Sequence, residues 1–257
     1  MPLLELCHLH KIFARRGAPP LRAVDDVSLS VEAGECVALV GESGSGKSTL
    51  ARLALRLLLP DSGQVLLEGN DFARLSGQAL RRARMTVQPV FQDASATFNP
   101  RRTVRGLLRQ ALVQAGRANT RDTALCALLE RVELHPAADL LPRYPSELSG
   151  GQRQRLSIAR ALATEPRLII ADEPLSGADV SIRAQILDLL TGLQAASGLA
   201  YLLITHDMLL ARAVSDRVAV MYQGRIVETG PTASVLDRPG DPYTRRLLAA
   251  VQSVDPA

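Results

Sequence analysis

Apolar positions along the chain follow two rhythms. The opening stretch, MPLLELCHLHKIF, alternates apolar and polar residues, the period-two pattern of a half-buried strand. Three runs are instead continuously apolar: Glu35-Cys36-Val37-Ala38-Leu39-Val40, Arg167-Leu168-Ile169-Ile170-Ala171 and Tyr201-Leu202-Leu203-Ile204-Thr205. Such runs predict strands of a mostly parallel sheet covered on both faces. A short strand, Gln64–Leu67, lies between the turn signals Asp61-Ser62-Gly63 and Glu68-Gly69-Asn70. Val218–Tyr222 and Arg225–Glu228 predict a hairpin around Gln223-Gly224. Helical spacing recurs at Leu50, Leu53, Ala54, Leu57 and Leu58, at Leu125, Leu128, Leu129 and Val132, and over Tyr243–Val251. Pro89 cannot donate to a strand ladder, which predicts an edge position for the strand that contains it.

The first apolar run leads into Gly41-Glu42-Ser43-Gly44-Ser45-Gly46-Lys47-Ser48-Thr49, and a helical pattern leaves it. Strand, glycine loop and helix are the context in which G-x-x-x-x-G-K-[ST] binds phosphate. Its glycines permit backbone turns closed to residues with a Cβ, so that the loop N–H groups converge on phosphate oxygens. The helix start adds partial positive charge. Lys47 reaches the β- and γ-phosphates in this reading, and Ser48 ligates Mg²⁺. The pattern arises by chance in roughly one chain in a hundred of this size. Residue usage argues against that accident, because the chain holds only two lysines, Lys11 and Lys47, among its 30 basic residues. A chain built almost wholly with arginine keeps lysine where a compact charge on a flexible stem is needed.

The length of 257 residues suits one large domain or a core with a smaller subdomain. Residues 94–160 are rich in Arg, Leu and Ala and predict an inserted helical subdomain between core segments 1–93 and 161–236, with 237–257 as a tail. The predicted class is α/β: a P-loop NTPase core with a mostly parallel sheet, an N-terminal antiparallel β subdomain and that helical insert. A net charge of +4 is too small to identify a partner, and 3% aromatics are too few for base-stacking platforms, so nucleic acid is not expected. Cys7, Cys36 and Cys126 form no C-x-x-C pair and read as reduced thiols of a cytosolic protein. No apolar run reaches 18 residues, and the opening stretch reads as a strand and not as a signal peptide.

Leu148-Ser149-Gly150-Gly151-Gln152 opens another helical stretch, with Ser149 as the candidate cap. Together with the phosphate loop, this LSGGQ segment resembles the signature of the ATP-binding cassette (ABC) ATPases. The remaining motifs follow in order. Leu168–Glu173 resembles Walker B, and the resemblance implies Asp172 as a magnesium ligand and Glu173 as the residue that polarises the attacking water. Phe91-Gln92-Asp93 resembles the Q-loop, whose Gln92 senses magnesium and the γ-phosphate. Thr205-His206-Asp207 resembles the switch segment, in which His206 contacts the γ-phosphate. Phe13 stands where the family carries an aromatic on adenine; it reads equally as a core residue. Asp179 is retained, but Ser176-Gly177-Ala178-Asp179 departs from the family's S-A-L-D.

The resemblance implies an ATPase using ATP and Mg²⁺, in which Ser149, Gly150, Gly151 and Gln152 of one subunit close over ATP on a second. One phosphate loop and one signature per chain imply a second ABC ATPase subunit, with a heterodimer favoured over a homodimer. The resemblance further implies two separate transmembrane permeases, contacted near Gln92 and the helical insert, and indirectly a solute-binding protein, at the cytoplasmic face of the inner membrane. Val90-Phe91-Gln92-Asp93, Asn99-Pro100-Arg101 and Pro242-Tyr243-Thr244 resemble the peptide/nickel import branch. The cargo stays open between peptides, nickel and a metal chelator. The competing readings are a soluble cassette ATPase acting on nucleic acid or ribosomes, a small-molecule kinase and a non-catalytic partner. LSGGQ argues against the kinase, and intact Lys47, Asp172, Glu173 and His206 argue against the non-catalytic partner.

Overall fold

The computed structural model describes residues 1–93, 95–176 and 180–252. In chain order the elements are β1 (Leu4–Arg15), β2 (Ala18–Val31), β3 (Cys36–Val40), α1 (Lys47–Ala54), β4 (Ser62–Leu67), β5 (Asn70–Asp71) and α2 (Gly77–Thr86). There follow β6 (Val87–Phe91), α3 (Val104–Gln114), α4 (Asp122–Glu130), α5 (Ala137–Leu140), α6 (Gly150–Leu162), β7 (Leu168–Asp172) and α7 (Val180–Ser197). The chain closes with β8 (Ala200–Thr205), α8 (Met208–Val214), β9 (Arg217–Tyr222), β10 (Arg225–Pro231), α9 (Thr232–Asp237) and α10 (Pro242–Gln252). These divide into two compact units, one of residues 1–84 and 200–257, the other of residues 85–199. The second unit is wider than residues 94–160 and includes β6, β7 and α7.

In the first unit β1 pairs antiparallel with both β2 and β4, with Leu4 opposite Val31 on one side and Leu67 on the other. Alternation delivers Leu4 and Leu6 to the buried face, and an irregularity at His8 (φ 48°) shifts the phase so that Leu9 joins them; each is at most 1% exposed. The central strand is β3, which pairs in parallel with β8 and β9, while β9 turns back antiparallel into β10. All five β3 residues and all six β8 residues are buried, as their unbroken apolar runs predict. The predicted hairpin turn is present. Gln223 and Gly224 both have positive φ, as a two-residue type I′ connection requires.

Behind β3 and β9 lies a cluster of Ala38, Val40, Val218, Val220, Met208, Ala211, Val235, Leu236 and Tyr243, with Leu247 and Leu248 packed against it. Tyr243, Leu247 and Leu248 recur at helical spacing, so one stripe of α10 faces this core.

One helix is shorter than its periodicity predicts. Leu50, Leu53 and Ala54 line the buried face of α1, but the helix ends at Ala54, ahead of Leu57 and Leu58. Arg56 takes φ 52° and donates from Nη2 to Ala73 O at 2.9 Å, which turns the chain away. Pro60 excludes a continuing helix further on. Leu57 is consequently 56% exposed.

In the second unit β6 pairs in parallel with β7, with Val87 opposite Leu168 and Phe91 opposite Asp172. β6 ends its sheet, in keeping with Pro89. The leucines of α4 are buried as their spacing predicts, with Leu125 and Leu129 fully so, and Leu107, Leu108 and Leu112 of α3 are buried as well. Arg160 of α6 spans inward to Thr97, donating to its carbonyl at 2.8 Å and its hydroxyl at 2.9 Å, with its guanidinium 4.9 Å from the Phe98 ring. Burial lowers the Arg160 pKa from its ordinary value.

Candidate active site

The phosphate loop occupies the step from β3 to α1. Gly41 has φ 151° and Gly46 has φ 111°. A Cβ on Gly41 would stand 2.2 Å from Met221 O, and one on Gly46 would stand 2.1 Å from Ala23 O. Neither position admits another residue, because fixed backbone occupies the space and the φ values belong to glycine. Gly46 is also the N-cap of α1, and it leaves the first turn without a side-chain cap. This is the arrangement in which the helix's first amides serve an anion.

Lys47 is only 6% exposed. Its Nζ donates to Gly41 O at 2.7 Å and Glu42 O at 2.8 Å, with Ser45 Oγ at 3.5 Å. An ammonium this buried must be hydrogen-bonded, and the loop's own carbonyls hold it inside the curl. Glu42, Ser43 and Gly44 form the exposed lip, Ser45 is buried beneath it, and Ser48 is exposed on the first turn of α1 beside half-buried Thr49.

The loop is braced from behind by residues distant in sequence. Gly224 N donates to Ser45 O at 2.8 Å, and Asp25 N donates to Gly224 O at 2.8 Å. Arg225 locks this join by donating from Nε and Nη2 to Asp25 Oδ2 at 2.8 and 2.6 Å. The guanidinium's hydrogen bonds hold the Asp25 carboxyl below its usual pKa. A depressed carboxyl adds stability above its unfolded pKa near 3.8 and loses it as pH falls through the folded value. Asp25→Asn is therefore expected to be less stable than wild type at neutral pH, with the gap closing as pH falls below the unfolded pKa and through the lower folded one. Urea midpoints across that range measure it.

β3 and β8 carry two site residues to one edge. Val40 is in register with Thr205, so the residues that follow, Gly41 and His206, leave neighbouring strand ends. His206 is exposed. Asp207 caps α8 by accepting from Leu209 N at 2.9 Å and Leu210 N at 3.0 Å, which fixes the turn bearing His206. Phe13 lies in β1 opposite Leu21, 36% exposed, with Lys11 Nζ 5.8 Å from its ring centroid. Lys11 is itself held by Asp61 Oδ1 at 2.7 Å.

The second unit gathers the other candidates. Phe91 is in register with Asp172, so Gln92 and Glu173 leave neighbouring strand ends. Gln92 Nε2 donates to Ser176 Oγ at 3.1 Å, joining the two loops. Glu173 has φ 51°, a left-handed conformation that costs a residue with a Cβ roughly 1–2 kcal/mol. Ser149 caps α6 in a reciprocal box: Gln152 N donates to Ser149 Oγ at 3.2 Å, and Ser149 N donates to Gln152 Oε1 at 2.9 Å. Ser149 and Gly150 are exposed, and Gly151 lies close against Ile182 of α7. Asp179 lies outside the described residues.

The structure thus brings Gly41–Thr49 together with His206 in one unit, and Gln92 together with Asp172, Glu173 and Ser176 in the other. The braces at Ala23, Asp25, Met221, Gly224 and Arg225 carry no sequence signal beyond a hairpin turn, because they are main-chain contacts and one ion pair made between segments far apart in the chain.

A β-strand, a left-handed glycine loop and a helix start that encloses a buried lysine define a nucleotide-binding α/β domain. Residues 24–176 match the family model described as ABC transporter, and the chain belongs to that family. It is 49% identical, over 95% of its length and 69% of the relative's, to a Sinorhizobium fredii protein named a probable peptide ABC transporter ATP-binding protein, y4tS. It is 44% identical, over 99% of its length and 83% of the relative's, to the oligopeptide transport ATP-binding protein OppF of Streptococcus mutans. Among solved structures, dimeric MJ0796, a bacterial ABC transporter cassette, superposes with a TM-score of 0.79 at 28% identity, covering 89% of this chain and 98% of that one. A second structure of MJ0796, a dimer in a post-hydrolysis state, holds ADP and Pi. Among the described residues no helix is long and apolar enough to cross a membrane.

Proposed function

We propose that this chain is the ATP-hydrolysing subunit of an importer that takes up di- or oligopeptides. The observation that carries the reading is the Gly41–Thr49 loop, with Lys47 buried in its curl and the first turn of α1 left to an anion. The names of the relatives favour peptide over nickel or a metal chelator as cargo.

In this reading the loop amides and Lys47 grip the β- and γ-phosphates, and Phe13 stacks on adenine. Ser48, Asp172 and Gln92 are the residues proposed to hold magnesium, which when bound neutralises charge on the phosphate oxygens. Ser48 and Asp172 offer the hard oxygen donors that this ion takes. Glu173 polarises the attacking water, and His206 contacts the γ-phosphate. Ser149–Gln152 and Asp179 complete the site on a facing subunit, a related ATPase in a heterodimer. Hydrolysis removes the bridge, and the pair opens. The helical segment 94–160 and Gln92 face the permeases, on the cytoplasmic side of the membrane.

Ser149→Arg is expected to keep nucleotide affinity within about twofold and to abolish hydrolysis, because the cap lies outside the chain's own loop. Wild-type turnover in that variant would remove the signature from the mechanism. The cargo is tested by reconstituting the chain with its permeases, a related ATPase and a solute-binding protein in vesicles. ATP-dependent accumulation of labelled oligopeptide, without nickel uptake, is expected. Nickel uptake alone would overturn the peptide reading.

A further inference from the structure

The segment Pro242-Tyr243-Thr244 starts α10, some 200 residues from the phosphate loop in sequence. Glu42 N donates to Tyr243 Oη at 3.2 Å, so the tail helix reaches the lip of the loop itself. The tyrosine is built into its position. It is 5% exposed, its ring centroid lies 4.1 Å from that of Tyr222, and it shares a cluster with Val40, which precedes Gly41, and with Met208 and Ala211 of α8, which follows His206.

The start of α10 is equally fixed. Tyr243 N donates to Asp241 Oδ1 at 2.7 Å. Glu228 of β10 accepts from Gly240 N at 2.7 Å and from Asp241 N at 3.2 Å. A hydroxyl held this way has little freedom, so the amide bonded to it is held as well. The carbonyl of that same peptide unit, Gly41 O, accepts from Lys47 Nζ at 2.7 Å. One peptide thus joins the tail tyrosine to the phosphate-binding lysine.

We propose that Tyr243 is a positioning residue for the phosphate loop: its hydroxyl fixes the Glu42 amide, and through this bond the C-terminal helix sets the chain's affinity for nucleotide. The proposal rests on nucleotide binding by this loop. Its structural half, the hold on Glu42, is measurable without nucleotide.

The test compares Tyr243→Phe with Tyr222→Phe in the full chain. Each removes one hydroxyl and keeps its ring in the stack, but the Tyr222 hydroxyl accepts from Gln223 Nε2 and not from a loop amide. In Tyr243→Phe, amide hydrogen exchange over residues 41–47 without nucleotide is expected to rise severalfold, and the Kd for MgADP to rise about fivefold, as for loss of one neutral hydrogen bond. Tyr222→Phe is expected to match wild type in both. Wild-type exchange over 41–47 in Tyr243→Phe would overturn the proposal, and so would equal changes in the two variants, which would assign the effect to ring packing. Faster exchange with no MgADP binding even in wild type would keep the hold on Glu42, discard its role in affinity and count against the ATPase reading.

Discussion

Lys47→Ala is expected to weaken MgATP binding by about a hundredfold or more while leaving the chain folded. The magnitude follows from charge-assisted hydrogen bonds to phosphate oxygens, each worth about 1.5–3 kcal/mol in a shielded site. The fold survives because Lys47 contributes little net stability without nucleotide. Holding an ammonium at 6% exposure costs desolvation, and its bonds to Gly41 O and Glu42 O only offset that cost. Truncation removes the charge and both donors together, so the thermal midpoint is expected to move by only a few degrees. Lys47→Arg separates charge from shape. A planar guanidinium keeps the charge but does not fit a curl closed at 2.7 and 2.8 Å by two carbonyls. Its affinity is therefore expected to fall nearly as far. Titration of each variant with a fluorescent nucleotide measures this, and wild-type affinity in Lys47→Ala would sink the role of the loop.

The loop could be read from sequence because its chemistry is local. Gly41, Gly46 and Lys47 are required by the backbone path that they themselves make, and an apolar strand and a helix adjoin them. The Ser149 cap was legible for the same reason, since its partner Gln152 is three residues away. β3, β7 and β8 announced themselves as unbroken apolar runs. β2 is harder to delimit, because Pro19-Pro20 and Asp25-Asp26 break its alternation and its pairing with β1 shifts register several times. The end of α1 departs from its periodicity, because the apolar spacing continues into Leu57 and Leu58 after the backbone has turned at Arg56. Least legible were the contacts made by main-chain atoms across long separations. Ser45 O with Gly224 N, and the space that Met221 O and Ala23 O deny to a Cβ, leave no side-chain pattern. The Gln92–Ser176 bond joins two loops 84 residues apart and has no sequence signal of its own.

Glu173→Gln is expected to lower ATP hydrolysis by about 10²–10⁴-fold with nucleotide affinity unchanged, as for loss of a positioned general base. It is then expected to accumulate a nucleotide-bridged pair of subunits, visible by size-exclusion chromatography, either alone or with a related ATPase subunit. The backbone at this position adds a second expectation, one of stability. Glu173 sits at φ 51° directly after the buried strand β7, a conformation unfavourable for any residue with a Cβ. Such strain persists where the surrounding structure fixes the residue. Glycine would relieve it, so Glu173→Gly is expected to be as stable as wild type or up to about 1 kcal/mol more stable, against the usual loss for a glycine substitution. Glu173→Gln keeps the Cβ and therefore the strain, so its stability is expected to stay at the wild-type value. Both variants should lose hydrolysis alike. A pair of inactive variants in which only the glycine form gains stability would separate the cost of the conformation from the chemistry it serves. A Glu173→Gly protein that still hydrolyses ATP would mean that the carboxylate is not the group for which the strain is kept.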